Sequence, residues 1–389
     1  MKISVSKKDL TAGVAKCAAI AATENIRSHL KNLLCRTTKD GLTLAATDLE
    51  LFISVTLPSD IVDVMEEGDV TIPAKKFLEA LREITGEVVV LETKKSGSQV
   101  KVTSGKSSVS INCGGIPPED FPMSEGEIEF HSIKASTLAD LINATAYAMS
   151  NDSMRKNLCG TYLEAFPSQP IRMVATDGHR LVYANADLTD ETSFTLKKGI
   201  IIPAKGINEI KRIVKDVKSN GGGTEGKTVL IGMQTEGNML VLKDGNTTVK
   251  VVLFDGPFPE YQKVIPLQIK ESAAVVVKRD DLFCSLRRMK VITDERFESV
   301  LLTASPGESY LRLESRNADS GIQARDEIEI VEIQEEMEIA FNVKYLLDPL
   351  TSMEARGEEE NIGMWLAGAQ KLLVLKPQNG LSLIMPLKQ

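Results

Sequence analysis

Ile72-Pro73-Ala74-Lys75-Lys76-Phe77 returns as Ile202-Pro203-Ala204-Lys205-Gly206-Ile207, and Ala46-Thr47-Asp48 returns as Ala175-Thr176-Asp177. Both pairs share one displacement of about 130 residues, and a fixed period is the signature of a duplicated module. A fainter third copy places Phe341-Asn342-Val343-Lys344-Tyr345-Leu346 where the Ile-Pro-Ala-Lys segment stood, and Glu314-Ser315-Arg316 where Ala-Thr-Asp stood. The chain of 389 residues is thus one module written three times. The boundaries fall near 1–125, 129–257 and 269–389, on either side of two Pro- and Gly-containing linkers that each hold a Phe-Pro step, Phe121-Pro122 and Phe258-Pro259.

Each copy opens with a short strand running into an amphipathic helix. Leu10, Val14, Ala18 and Ala21 share one face in the first copy, and Leu138, Leu141, Ile142, Thr145 and Met149 in the second. Leu282, Leu286, Met289 and Ile292 do so in the third. Spacings of three and four mark a buried helical stripe. Alternating strands follow, then a second helix entered at Pro73 and Pro203, where a first turn tolerates proline. Two further hairpins close the copy, and Val109-Ser110-Ile111 reads as an edge strand. The expected class is α+β: three tandem modules, each with two helices packed on antiparallel sheets.

Charge distribution points to a function. The net charge is -8, which disfavours a uniformly basic nucleic-acid surface. Basic residues nevertheless cluster on helices: Lys7, Lys8 and Lys16; Lys75, Lys76 and Arg82; Lys205, Lys211, Arg212 and Lys215; Arg287, Arg288 and Lys290. Modules set side by side form an arc, and a two-fold dimer of half-rings closes a six-domain ring. With helices inside and acidic sheets outside, its lining attracts phosphates without reading bases. Aromatic residues are 5% of the chain, too few for a platform that stacks single-stranded bases, so duplex DNA is the expected partner.

Other classes fit poorly. The five cysteines lack CxxC spacing and the three histidines are scattered, so reduced thiols and no metal site are expected. No cofactor is expected either. No stretch has the length of a membrane span, nor does the start carry a signal peptide's apolar core, so the chain is expected in the cytoplasm. Gly221 to Thr228 satisfies the phosphate-loop pattern GxxxxGK[ST], which raises an ATPase as the rival reading. That loop works only between a strand and a following helix. Here a helix precedes and a strand follows, so Ser219 to Lys227 reads as a helix–strand connection.

The chain resembles the bacterial sliding clamps, the beta subunits of DNA polymerase III. The carrying motifs are Ala175-Thr176-Asp177-Gly178-His179-Arg180-Leu181, Phe258-Pro259-Glu260-Tyr261-Gln262-Lys263-Val264, Tyr345-Leu346-Leu347-Asp348 and Ile384-Met385-Pro386-Leu387. The resemblance runs in order through the whole chain. It implies a non-catalytic homodimeric ring, opened by a clamp loader, that tethers polymerases to duplex DNA. It implies a pocket for a short peptide motif of polymerase and loader subunits, formed by Leu158, Thr176, Gly178, His179, Arg180, Leu181, Pro259, Val264, Leu383, Ile384, Met385, Pro386 and Leu387. His179 and Arg180 would orient the peptide's polar end. It implies a dimer seam with Val109 and Ile111 opposite Val291 and Ile292, and DNA contacts at Arg27 and Arg155. Lys156-Asn157 stands where the family often has aromatic residues, leaving Lys156 a phosphate contact without stacking.

Overall fold

The computed structural model describes residues 1–21, 28–94, 98–113, 115–124, 126–187, 194–219, 227–234, 238–269, 274–293, 298–317, 321–358, 360–367 and 371–387, with no description of the side chains at 28, 29 and 216–219. Six α-helices lie among them: α1 Lys7–Ala21, α2 Ala74–Glu83, α3 Ala135–Thr145, α4 Ala204–Ser219, α5 Arg279–Ile292 and α6 Val343–Ala355. They fall two to a copy, as the repeat predicts. The predicted stripes are buried: Leu10, Val14, Ala18 and Ala21 on α1, Leu138, Leu141 and Ile142 on α3, Leu282, Leu286 and Met289 on α5. α3 is shorter than its stripe suggested. Thr145 turns its hydroxyl onto the Leu141 carbonyl, and the chain tightens into a 3-10 turn, Ala146–Ala148, before Met149. Such back-bonding competes with helix propagation. Pro73 sits one position earlier than expected, as the cap preceding α2 and the last residue of a strand.

The strands form three antiparallel sheets. A five-stranded sheet runs in the order Val62–Glu66, Lys2–Ser6, Val88–Thr93, Gln99–Ser104, Ser107–Asn112. An eight-stranded sheet runs Glu129–Lys134, Thr228–Gln234, Met239–Asp244, Thr247–Val252, Leu51–Pro58, Gly41–Thr47, Asn32–Thr38, Gly68–Pro73. A twelve-stranded sheet joins four strands of the second copy, from Ile200–Pro203 to Arg180–Ala186, through Gly380–Ile384 to all the strands of the third.

The repeat boundaries and the compact units differ for a reason visible in these ladders. One unit comprises Met1–Ile133 with Thr228–Leu253, the other Lys134–Lys227 with Phe254–Gln389. Val249 pairs with Ile53 and Thr247 with Val55, so the hairpins of copy two extend the sheet of copy one. Leu181 pairs with Leu383, which fuses the first half of copy two to copy three. Edge-to-edge hydrogen bonding consumes exposed strand edges wherever modules adjoin, and the densest packing ignores the duplication boundary.

The Ala-Thr-Asp repeat is a turn built twice. The Thr47 hydroxyl donates to the Leu51 carbonyl at 2.8 Å, and Asp48 Oδ1 accepts from the amides of Glu50 and Leu51. The Thr176 hydroxyl donates to the Arg180 carbonyl at 2.6 Å, and Asp177 Oδ1 accepts from the amides of His179 and Arg180. Both turns pass through the left-handed region, at Leu49 with φ 76° and Gly178 with φ 91°. A Cβ at 178 would come 2.8 Å from Arg155 Nη1, the end of a half-exposed side chain that can give way.

Candidate functional site

The second of these turns forms one wall of a cavity. Leu158, Thr176, Gly178, His179, Arg180, Leu181, Pro259, Val264, Leu383 and Met385 line a space of about 370 Å³, at the lower end of the range for small-ligand and peptide pockets. Its floor is an apolar cluster of Val174, Leu181, Tyr261, Ala367, Val374 and Leu383. Strand alternation decides which C-terminal residues take part. Leu383 faces this cluster, whereas Ile384 faces the opposite side and is wholly buried in the core of the third copy. Pro386 and Leu387 also stand outside the lining; the Leu387 amide donates to the Ala340 carbonyl, and that of Met385 to the His179 carbonyl. The C-terminal segment thus stitches the turn of copy two to a strand of copy three.

Glu260, Tyr261 and Leu372 belong to the lining as well, and sequence reasoning passed over them. Tyr261 is buried, donates its hydroxyl to Glu164 at 2.7 Å and accepts from Arg172 at 3.3 Å. Phe258 stacks on Tyr162 with centroids 4.7 Å apart. The Phe-Pro-Glu-Tyr linker motif is therefore a pair of aromatic anchors that fix Pro259 and Val264 at the rim. A buried tyrosine needs a hydrogen-bond partner, and Glu164 and Arg172 lie too far away in sequence to be paired by inspection.

Arg180, one of the lining residues, is anchored within the protein. Its guanidinium donates to Asp177 at 3.0 Å, to Asp348 at 2.6 Å and to the Tyr147 carbonyl at 2.5 Å, and lies 4.6 Å from the centre of the Tyr345 ring. It is 6% exposed. These bonds use three of its five N–H donors and tie the turn in place, and Arg180 still lines the cavity beside the exposed His179. His179 itself lies against Tyr345, with ring centroids 6.2 Å apart. Burial pushes the Tyr147 hydroxyl up to about 12, against a hydrogen bond from Ser382 and the charge of Arg180. Burial also raises Tyr345, helped by the negative charge of Asp177.

The candidate DNA-facing residues divide by their surroundings. Arg155 is paired with Asp152 at 2.9 Å, Arg212 with Glu209 at 3.0 Å and Arg288 with Asp326 at 2.8 Å. Lys156, Lys215 and Arg287 are exposed, and Lys205 and Lys211 are half-buried. Burial and the neighbouring Lys215 lower the Lys211 ammonium below its ordinary value. Arg27 lies outside the described residues.

At the candidate seam, Ser107–Asn112 is an edge strand of the five-stranded sheet. Val109 is exposed but Ile111 is buried within its own sheet; Val291 is exposed and Ile292 half-buried. A feature that sequence reasoning missed lies in Gln323–Ile333. Its residues from Ile330 onward pair with Val275–Lys278, while Gln323 to Glu329 pair on one side only among the described residues. That half-free edge gave no signal beyond an alternating charged run.

Of the glycine-rich run, residues 220–226 lie outside the described residues. Its flanks are helix α4 before and the strand Thr228–Gln234 after. No helix N-terminus follows the run, so the amide cradle of a phosphate loop has no scaffold. Among the described residues no group of His, Cys, Asp and Glu could hold a metal ion, and no helix is long and apolar enough to cross a membrane.

Family models for the DNA polymerase III beta subunit match the chain end to end: the N-terminal domain at 1–125, the central domain at 132–260 and the C-terminal domain at 262–387. The beta sliding clamp of Proteus mirabilis is 30% identical, over 84% of this chain and 83% of its own length. That of Escherichia coli (strain K12) is 27% identical with both chains fully covered. A crystal structure of a sliding clamp (DNA polymerase III subunit beta) from Bartonella birtlesii bound to griselimycin superposes with a TM-score of 0.86, at 26% identity and with both chains fully covered.

Proposed function

The chain belongs to the DNA polymerase III beta subunit family, the sliding clamps, and from that premise we propose how it works. It is a processivity subunit and no enzyme: it holds a polymerase on its template by encirclement. Its three modules, near 1–125, 129–257 and 269–389, form a half-ring, and two copies close a six-domain ring around duplex DNA. A threaded ring is retained by topology, so its contacts with phosphates can be few and mobile. The acid partners of Arg155, Arg212 and Arg288 suit that role, since each weakens the local field that would otherwise arrest sliding. Lys156, Lys215 and Arg287 carry the remaining attraction, with Arg27, Lys205 and Lys211 contributing. The protein works in the cytoplasm, without cofactor or membrane.

The seam forms where Ser107–Asn112 of one copy adds to the free half of Gln323–Ile333 of the other, with Val109 and Val291 packed alongside. Polymerase subunits and the clamp loader dock through a short extended peptide in the cavity of Leu158, Thr176, Gly178, His179, Leu181, Pro259, Val264, Leu383 and Met385. That cavity carries the proposal: residues far apart in sequence gather into an apolar trough with one exposed imidazole. Two experiments test it. The protein loaded on nicked circular DNA should co-purify with the circle and be lost when the circle is linearised; equal loss from both forms refutes encirclement. Deleting Met385 to Gln389 should leave the dimer intact and abolish binding of a polymerase-derived peptide; unchanged affinity in a titration refutes the pocket.

A further inference from the structure

The five-stranded sheet has two edges of opposite character. Ser107–Asn112 carries no charged residue. The other edge, Val62–Glu66, pairs with Lys2–Ser6 on one side only among the described residues. The segment Ser59 to Asp69 contains five acidic residues and no basic one. Asp60, Asp63, Glu66 and Glu67 are exposed, while Asp69 is held by Arg36 at 2.9 Å. Val62 and Val64 pair opposite the buried Val5 and Ile3, whereas Asp63 and Glu66 pair opposite Ser4 and Lys2 on the outer face, and a register shift between Val64 and Glu66 leaves the exposed Met65 as an extra, bulged residue. Beside them lies a groove of about 760 Å³, whose lining includes Met65 and Val88 and in which the carboxylates of Asp60, Asp63 and Glu67 outnumber one cation, Lys39. Met65 and Val88 are each about half exposed, at 51% and 53%.

We propose that this edge is a docking site for a basic, extended segment of a partner protein, which adds to Val62–Glu66 as a further strand. Main-chain groups of an edge strand supply affinity to any added strand, and alternate side chains supply selectivity. The outward row offers the carboxylates of Asp63 and Glu66, with the thioether of the bulged Met65 and the half-exposed Val88 beside them, so a segment alternating Lys or Arg with an aliphatic residue matches both. Acidic residues are a common guard against edge-to-edge aggregation. A guard built from one sign of charge admits the opposite sign. A second copy of the same strand is disfavoured, because antiparallel pairing sets carboxylate against carboxylate. Nucleic acid is disfavoured for the same reason. The proposal does not depend on ring closure or on the peptide pocket, since the edge lies wholly within the first module.

The test uses the full chain and a fluorescein-labelled peptide alternating Lys and Val, read by anisotropy. Two controls accompany it, one with Glu for Lys and one N-methylated at alternate residues. The basic peptide should bind, and both controls should fail. Asp63→Lys combined with Glu66→Lys should weaken binding at least tenfold with unchanged thermal unfolding, whereas Glu83→Lys, at an exposed site on α2, should leave it unaltered. If Val62–Glu66 gains a strand, its amides should become protected from hydrogen exchange when the peptide is present. Several results overturn the proposal: no binding of the basic peptide, equal binding of the N-methylated one, or an equal loss with Glu83→Lys. Self-association of the peptide-free protein that disappears with Asp63→Lys would assign the edge to a second copy and overturn it too.

Discussion

Replacing Arg180 with Ala isolates how the second and third modules are locked at the pocket. Three donors lose their source at once, to Asp177, Asp348 and the Tyr147 carbonyl, together with the contact on Tyr345. Removing one partner of a buried ion pair costs about 3–5 kcal/mol, because the acid left behind is desolvated and unpaired. Asp348 is 25% exposed and Asp177 14%, so water compensates in part and the lower half of that range applies. At about 2–4 °C per kcal/mol for a unit of this size, the transition of the second unit should fall by roughly 10 °C. Asp348→Ala alone leaves Arg180 its bond to Asp177, and should cost about 2 kcal/mol. The double mutant then reports a coupling of about 1.5–3 kcal/mol, within the usual span for contacting charges. Arg180→Lys should recover less than half, since one ammonium cannot serve three acceptors set in a planar fork. The assay is thermal unfolding of the four proteins, with peptide titration in parallel. A cost below about 1 kcal/mol for Arg180→Ala, or a coupling near zero, would refute the latch and return Arg180 to the ligand-binding role.

At the seam, Val109→Asp and Val291→Lys should yield folded monomers by light scattering, whereas Ile111→Asp should lower thermal stability by about 3 kcal/mol, because that residue lies inside its own sheet; an intact dimer with Val109→Asp counts against the seam. Gly232→Ala should destabilise the first unit by about 1–3 kcal/mol, since the new Cβ would lie 2.5 Å from the Glu129 carbonyl oxygen; an unchanged melting curve contradicts this. Tyr147 and Tyr261, both raised to about 12, should ionise last in an alkaline titration followed by tyrosinate absorbance. Their folded pKa lies above the unfolded value near 10, so the native state holds the proton longer. Their contribution is therefore complete below pH 10 and is lost as pH climbs from 10 toward 12, by on the order of 1–2 kcal/mol for Tyr147; Tyr147→Phe should flatten that fall.

Much of the fold could be read because it rests on local patterns repeated at one displacement. Helix stripes such as Leu10-Val14-Ala18 need only a period, and the Ala-Thr-Asp turn encodes its own hydrogen bonds within five residues. The pocket was legible for a different reason: its parts are motifs shared with a family, and Leu181 opposite Leu383 in one ladder then brings them together. What stayed hidden depends on the choice between two faces or two edges. Leu383 and Ile384 are adjacent and both apolar, yet alternation sends one to the cavity and the other to the core. A one-residue difference in phase reverses that assignment, and no periodicity crosses the end of a strand. Arg180 illustrates the same limit for charge. A guanidinium beside an aspartate in sequence reads equally as a ligand anchor or as a structural tie. The approach of Asp348, far along the chain on α6, is what argues for the structural tie. The arginines proposed to face DNA follow this logic in turn: Arg155, Arg212 and Arg288 appear as bare cations in a list of residues, but each has an acid within hydrogen-bonding distance. Counting basic residues therefore overstates the attraction, and lysines with no acid partner among the described residues, Lys156 and Lys215 first, should dominate the salt dependence of DNA binding.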